Sequence, residues 1–307
     1  MLNLYKLEIF ALVAQQGSFS AAAGQLYLTQ SAVSQHIQDL EASLGTALFT
    51  RGRRGVALTP AGETLYGYTR RILALLAEAE SAVVTVENLA GGQVSIGSTP
   101  GASLYLLPGW IHAFRARYPN LTVSLETGVT GVVAAGVLGR RLDVGFVEGE
   151  IEGGIGLRLG QLVLAQVAQY VVIGPGHPCW RRDAVALADL DGQPFITRQP
   201  SSQTRAWQDA LLAAHGARPR IVAELDSPES IKRAVMSSMG AAILPQYAVQ
   251  RELDEGALRA LPLAEAPLRR ALRLVWNDDA PCTPLTRAFL TQMAGEYPPL
   301  AGFLAGR

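Results

Sequence analysis

The sequence predicts a composite fold, an α-rich winged helix-turn-helix followed by an α/β region, and three observations predict it. Val33, Ile37, Leu40 and Leu44 recur at steps of four, three and four, which is one stripe of an α-helix. Leu65, Tyr68, Ile72, Leu75, Ala79, Ala82, Val86 and Leu89 alternate three- and four-residue steps, a heptad seam that needs a partner helix. From Val94 onward, short apolar runs alternate with helical ones, the pattern of strands and helices packed in an α/β sheet.

Composition bounds what such a chain can do. With 307 residues, 49% hydrophobic and 17% charged, it forms folded cores rather than a disordered tail. Lys plus Arg equals Asp plus Glu at 26 each, so any nucleic-acid site has to be local. The opening MLNLYKLEIF carries Glu8 and lacks a basic region ahead of an apolar run, so no secretory signal is expected. No stretch approaches the ~18 apolar residues of a membrane span, and a cytoplasmic protein without membrane contact is expected. Cys179 and Cys282 lie far apart and form no C-x-x-C pair, and reduced core thiols are the expectation.

The N-terminal elements follow from caps and stripes. Leu4 to Gln15 carries Leu7, Phe10, Ala11, Val13 and Ala14 on helical spacing and stops at Gly17. Ser18 caps a second helix, Phe19 to Leu26, whose Ala21, Ala22 and Ala23 permit close crossing. Thr29 caps the third, completing a helix-turn-helix whose last helix enters a DNA major groove. Opposite its apolar stripe stand Gln30, Ser31, Ser34, Gln35 and Gln38, uncharged groups able to pair with base edges. The alternatives for this face are a solvated surface and, for the three helices, a small structural bundle.

Between Ala47-Leu48-Phe49 and Val56-Ala57-Leu58 lies Thr50-Arg-Gly-Arg-Arg-Gly55, which reads as a β-hairpin wing. Arg51, Arg53 and Arg54 have no carboxylate neighbour there, and DNA phosphates are the natural counter-charge. Thr59-Pro60, with Glu63 in the first turn, then starts the helix that carries the seam. Pairing of that seam between two chains suits a two-fold DNA site, whereas packing on the second domain would leave a monomer.

Residues 26–45, then Leu48-Phe49, Arg51 and Leu58-Thr-Pro-Ala-Gly62, resemble the N-terminal signature of LysR-type transcriptional regulators, and the resemblance continues through the chain. It implies a winged helix-turn-helix, a dimerising linker helix, and an effector-binding domain of the two-subdomain periplasmic-binding-protein-like (type II) fold. The implied domains are 1–59, 60–90 and 91–307, the last with subdomain I at 91–165 and 268–307 and subdomain II at 166–267. Carried over by position, base and backbone contacts fall on Gln30, Ser31, Ser34, Gln35, Arg53 and Arg54. Many members have a basic residue where this chain has Gln35, which leaves open the base read there. The implied partners are double-stranded DNA, a small-molecule effector, a second copy in a homodimer or homotetramer, and RNA polymerase.

In the α/β region, strands are expected at Val94–Ser98, Leu121–Glu126, Leu142–Val147, Gln169–Ile173, Pro194–Thr197 and Arg220–Leu225. Helices are expected from Thr99 to Tyr118 and near Val129–Arg140, Thr204–His215 and Pro228–Met239. Ligands bind at the carboxyl ends of such strands. Candidate effector contacts are therefore Ser98, Thr99, Gly101 and Ser103 at the first junction and Thr127 and Thr130 at the second. Thr197, Arg198, Ser202 and Thr204 follow in a polar run that ends at Arg205. Gly128 and Gly131 admit close approach of a ligand. Backbone N–H groups at the first junction and a guanidinium of Arg198 or Arg205 suit a carboxylate or phosphate, so an anionic effector and no cofactor are expected. The alternative for these hydroxyls is helix capping.

No catalytic arrangement emerges. His36, His112, His177 and His215 are scattered, and H-E-x-x-H, G-x-S-x-G and phosphate-loop motifs are missing. Gly174-Pro-Gly-His-Pro-Cys179 reads as a turn rather than a dinucleotide loop, and no metal site is expected. Cysteine-based peroxide sensing, found in one branch of the family it resembles, is disfavoured because 199–208 contains no cysteine. A regulator of transcription is the leading expectation; a solute-binding protein and an enzyme on the same two-lobed fold are the alternatives.

Overall fold

The computed structural model describes residues 3–26, 28–52, 55–83, 91–151, 159–264, 266–280 and 282–306. They fall into two units, one of residues 1–84 with 139–141 and the other of 85–138 with 142–307.

In the first unit, α1 (Leu4–Gln16), α2 (Phe19–Gln25) and α3 (Gln30–Leu44) start on Asn3, Ser18 and Thr29, whose side chains each accept a backbone N–H of the first turn. Gly17 and Gly45 end α1 and α3 in the left-handed region, at φ 59° and 68°. Ile9, Phe10, Val13, Ala22, Ala23, Val33, Ile37 and Leu40 form one buried core. The hairpin β1 (Phe49–Gly52) and β2 (Gly55–Leu58) pairs Arg51 opposite Val56. Its base is fastened to the helices at two points: Val56 N donates to Gly17 O, and Leu48 N and Phe49 N donate to the Glu41 carboxylate. Thr59 then caps α4 (Pro60–Val83), its hydroxyl accepting Gly62 N–H at 3.0 Å while donating to Ala47 O.

In the second unit, β3 (Gly92–Ser98) lies between β4 (Leu121–Thr127) and β5 (Val144–Glu148), parallel to both. The connections are α5 (Pro100–Tyr105) with α6 (Leu107–Arg117), then α7 (Thr130–Leu138). The helical run expected from Thr99 to Tyr118 is thus two helices broken at Leu106, because Pro108 supplies no N–H and starts a new helix instead of continuing the old one. β6 (Leu159–Ile173) is three times the expected length. Its Gly160, Gln161 and Gln166 hide a strand from a propensity reading, and pairing with β11 (Leu268–Asn277) secures it.

Beyond β6 come β7 (Pro194–Arg198), α8 (Gln203–Ala214), β8 (Arg220–Leu225) and α9 (Pro228–Met236). β9 (Ala242–Pro245), α10 (Gln246–Asp254) and β10 (Arg259–Leu261) follow, then α11 (Pro284–Met293) and α12 (Pro299–Gly306) after β11. The expected α9 limit of Met239 is too long: the helix stops at Met236, and Ser238 takes φ 58°. The main sheet runs β10-β6-β11-β5-β3-β4, with β9 also on β6, while β7 and β8 form a parallel pair. Four buried clusters result among the described residues of this unit, and the two largest lie on different elements. Phe114, Phe146, Leu272, Leu274 and Phe289 pack around β3 to β5, while Val171, Ile173, Leu187, Phe195 and Ile243 pack around β7 and the far end of β6. The long strands β6 and β11 run through both, and the carboxyl ends of β3, β5 and β7 carry the residues of the candidate ligand site.

Candidate DNA-reading face and effector cleft

Burial of Val33, Ile37 and Leu40 turns the other side of α3 outward. Gln30, Ser31 and Gln35 are exposed and Ser34 is half-buried, as a face free to meet a groove requires. Ser31 shares a hydrogen bond with the capping Thr29 hydroxyl at 3.0 Å. Gln35 donates its amide N–H to Asp39 at 2.9 Å, and Lys6 of α1 reaches the other oxygen of that carboxylate at 3.0 Å. These two bonds hold the Asp39 carboxyl below its ordinary range, the Gln35 bond contributing more. With one amide N–H engaged, Gln35 retains its carbonyl oxygen and its second N–H. Arg53 and Arg54, and the side chain of Arg51, lie outside the described residues. So do Val86 and Leu89 of the seam and the side chains of Ala79 and Ala82. Of the seam's remainder, Leu65 packs on the first unit's core, while Tyr68, Ile72 and Leu75 are 59%, 37% and 53% exposed.

At the other site, several strand ends converge. Ser98 is fully buried and donates to Thr99 O, whereas Thr99 Oγ1 is buried with no hydrogen-bond partner among the described residues. α5 starts there without a side-chain cap, so Thr99 retains its hydroxyl. Gly101 is required for closeness: a Cβ there would lie 2.5 Å from the Tyr247 hydroxyl and 3.3 Å from Glu148 Oε1. Both of those oxygens are themselves buried without a partner among the described residues. Ser103 and Thr127 bond each other through their hydroxyls, and Thr130 is buried at the start of α7.

The polar run after β7 divides by role. Thr197 donates to the Gln208 side chain at 2.8 Å, inside the lobe, and Ser202 caps α8 through Thr204 N. Arg205 is occupied by Asp209 at 2.8 Å and by Glu224 at 2.5 Å, so it has no free fork for a ligand. Arg198 differs. It is 5% exposed, its Nε donates to Gln199, and its Nη2 is buried without a partner among the described residues. Burial lowers its pKa, opposed by Asp226 and Glu148.

Glu148, Tyr247 and Arg270 complete the cluster and escaped the sequence reading. Arg270 sits on β11, 4% exposed, and bridges the two groups of elements: Nη1 donates to Thr204 Oγ1 at 2.8 Å and Nη2 to Glu148 O at 3.2 Å. Its Nη1 is 3.8 Å from Glu148 Oε2, its guanidinium lies 5.0 Å from the Trp207 ring centre, and its Nε has no partner among the described residues. Burial raises the Glu148 pKa, against the pull of Arg270 and Arg198. Arg270 also borders a pocket of 320 Å³ shared with Gly149, Gln166, Trp207, Arg269 and Arg273. The usable signals were a carboxylate closing the apolar run Val144-Gly-Phe-Val147 and an arginine inside the buried pattern of β11. Among the described residues no cluster of three metal-ligating side chains occurs, and no helix is long and apolar enough to cross a membrane.

A winged helix-turn-helix joined to a domain with ligand-type polar groups at its strand ends defines a DNA-binding transcriptional regulator with an effector-binding domain. Residues 4–63 match the model "Bacterial regulatory helix-turn-helix protein, lysR family" and residues 87–297 match "LysR substrate binding domain". The chain belongs to the LysR family of transcriptional regulators, and its relatives are regulators, not enzymes. A probable RuBisCO transcriptional regulator of Synechocystis sp. is 32% identical over 298 residues, covering 96% of this chain and 86% of the relative. Among solved structures, a full-length OxyR variant from Pseudomonas aeruginosa superposes with a TM-score of 0.74 at 20% identity, covering 97% of each chain. The Synechocystis CcmR regulatory domain in complex with 2-PG matches at 0.62 and 23% identity, covering 67% of this chain and 97% of that one.

Proposed function

We propose that this regulator reads DNA as a homodimer or homotetramer and changes its binding when a small anionic effector occupies the cluster of Thr99, Glu148, Arg198, Tyr247 and Arg270. The observation that carries the reading is the convergence of five buried polar atoms, one from each of these residues, that have no hydrogen-bond partner among the described residues. Buried polar groups are almost always hydrogen-bonded, so such a set marks a place built for an occupant. Two guanidiniums against one buried carboxylate favour an anion, since Asp226 is exposed and screened by solvent. The relative bound to 2-PG supports a phosphorylated or carboxylated metabolite.

Residues 91–165 with 268–307 form one lobe of the effector domain in this reading and 166–267 the other. Domains 1–59 and 60–90 read DNA and pair the chains, in the cytoplasm. Gln30, Ser31, Ser34 and Gln35 supply sequence selectivity, and Arg51, Arg53 and Arg54 supply phosphate contacts. Ser98, Gly101, Ser103, Thr127 and Thr130 shape the wall of the cleft, with Thr197, Ser202 and Thr204 supporting it from the other side. The effector acts through unequal affinity for two arrangements of the lobes. Thr99→Val, which removes one hydroxyl at constant shape, is expected to abolish the ligand response in a DNA-binding assay while leaving ligand-free DNA affinity intact. An unaltered response would remove Thr99 from the site.

A further inference from the structure

The unpartnered atoms are not all of one kind, and their chemistry restricts the occupant further. Arg198 Nη2 and Arg270 Nε can only donate a hydrogen bond, whereas an ionised Glu148 Oε1 can only accept one. Thr99 Oγ1 and the Tyr247 hydroxyl can do either. Gly101 places the Tyr247 hydroxyl and Glu148 Oε1 beside one another, as a Cβ on Gly101 would be in contact with both. A plain carboxylate or phosphate satisfies the guanidiniums but leaves Glu148 without a donor and meets its charge at short range.

Resting on the reading of this cluster as the effector site, we propose that the effector carries a hydroxyl in addition to its anionic group, and that Glu148 with Tyr247 selects for it. The anion faces Arg198 and Arg270, and the hydroxyl donates to Glu148 Oε1 while accepting from Tyr247. A hydroxyl is preferred to an ammonium because Arg270 already stands 3.8 Å from Glu148 and supplies its counter-charge; a second cation would be repelled by the same guanidinium. A site built to bond a substrate hydroxyl rejects the analogue without it strongly, since its own buried groups are then left unpaired.

The test uses the full-length protein and calorimetric titration with matched probes: D-lactate against propionate, 3-phospho-D-glycerate against 3-phosphooxypropionate, and D-alanine for the ammonium. The expected result is a preference of at least tenfold for the hydroxy acid within a pair. Glu148→Gln is expected to erase that preference, and Tyr247→Phe, which keeps the ring packed on Tyr105, to reduce it. Arg198→Gln is expected to weaken both members of a pair. Equal binding of both members, still weakened by Arg198→Gln, overturns the hydroxyl assignment and leaves the effector site standing. Tighter binding of D-alanine than of D-lactate overturns it in favour of an ammonium. Binding that Arg198→Gln leaves untouched, or no binding of any probe, overturns the effector-site reading itself. Retained DNA binding and circular dichroism show that each variant is folded.

Discussion

Gly62 shows how much of the family signature is steric. It lies in the first turn of α4 against the hairpin entry, where a Cβ would overlap Leu48 O and touch the Leu58 side chain. Leu48 O is fixed there by accepting Thr59 N–H, so the backbone cannot give way. Gly62→Ala is therefore expected to cost the N-terminal unit about 1–3 kcal/mol, the range of overpacking in a close-packed interior, measured as a lower denaturant midpoint. An unchanged midpoint would mean that the hairpin moves freely against α4. Glu229 offers a residue-scale reading of pH. Burial acts to raise its pKa, but hydrogen bonds from Lys232, Tyr105 and Arg233 outweigh it, and the carboxyl drops from 4.5 to about 2. A depressed carboxyl stabilises the fold above its unfolded pKa and loses that contribution as pH falls. Wild type is expected to lose stability between pH 4.5 and about 2 more steeply than Glu229→Gln, followed by urea unfolding at each pH. Parallel curves would contradict the ion-pair account.

Among elements, α4 carries the clearest unfinished surface. Tyr68, Ile72 and Leu75 follow one another at four and three residues and face solvent, while Leu65 turns into the core of the helix-turn-helix. Exposed apolar residues in heptad register are stabilised by a second helix, so Leu75→Asp is expected to shift the protein towards monomer in sedimentation velocity. A wild-type protein that is already monomeric would overturn the pairing role. The N-terminal elements were legible from sequence because caps and periodicity are local: Ser18 and Thr29 cap the helices they were expected to cap. The later elements were less so. β9 is four residues long, β6 carries Gly160 and Gln161 near its start, and both depend on partners distant in the chain. The same limit applied to the cleft. Thr99 and Arg198 sit in recognisable strand–helix junctions, whereas Glu148, Tyr247 and Arg270 are single residues on β5, α10 and β11 whose meeting is a property of the tertiary packing.

At the scale of the whole molecule, net charge and local charge serve different ends. A chain with 26 basic and 26 acidic residues has no general attraction for DNA, so affinity must come from a few phosphate contacts and from pairing of two chains. Under the proposed function, selectivity falls to the uncharged face of α3, where Gln35 is shared with Asp39. The most direct measurement is in vitro selection of duplexes from a random pool by the wild type and by a variant with Ser34→Ala and Gln35→Ala. The wild type is expected to enrich an inverted repeat with half-sites separated by whole helical turns, while the variant binds weakly, salt-sensitively and without enrichment. Enrichment of the same sequence by both proteins would contradict the assignment of α3 as the reading helix.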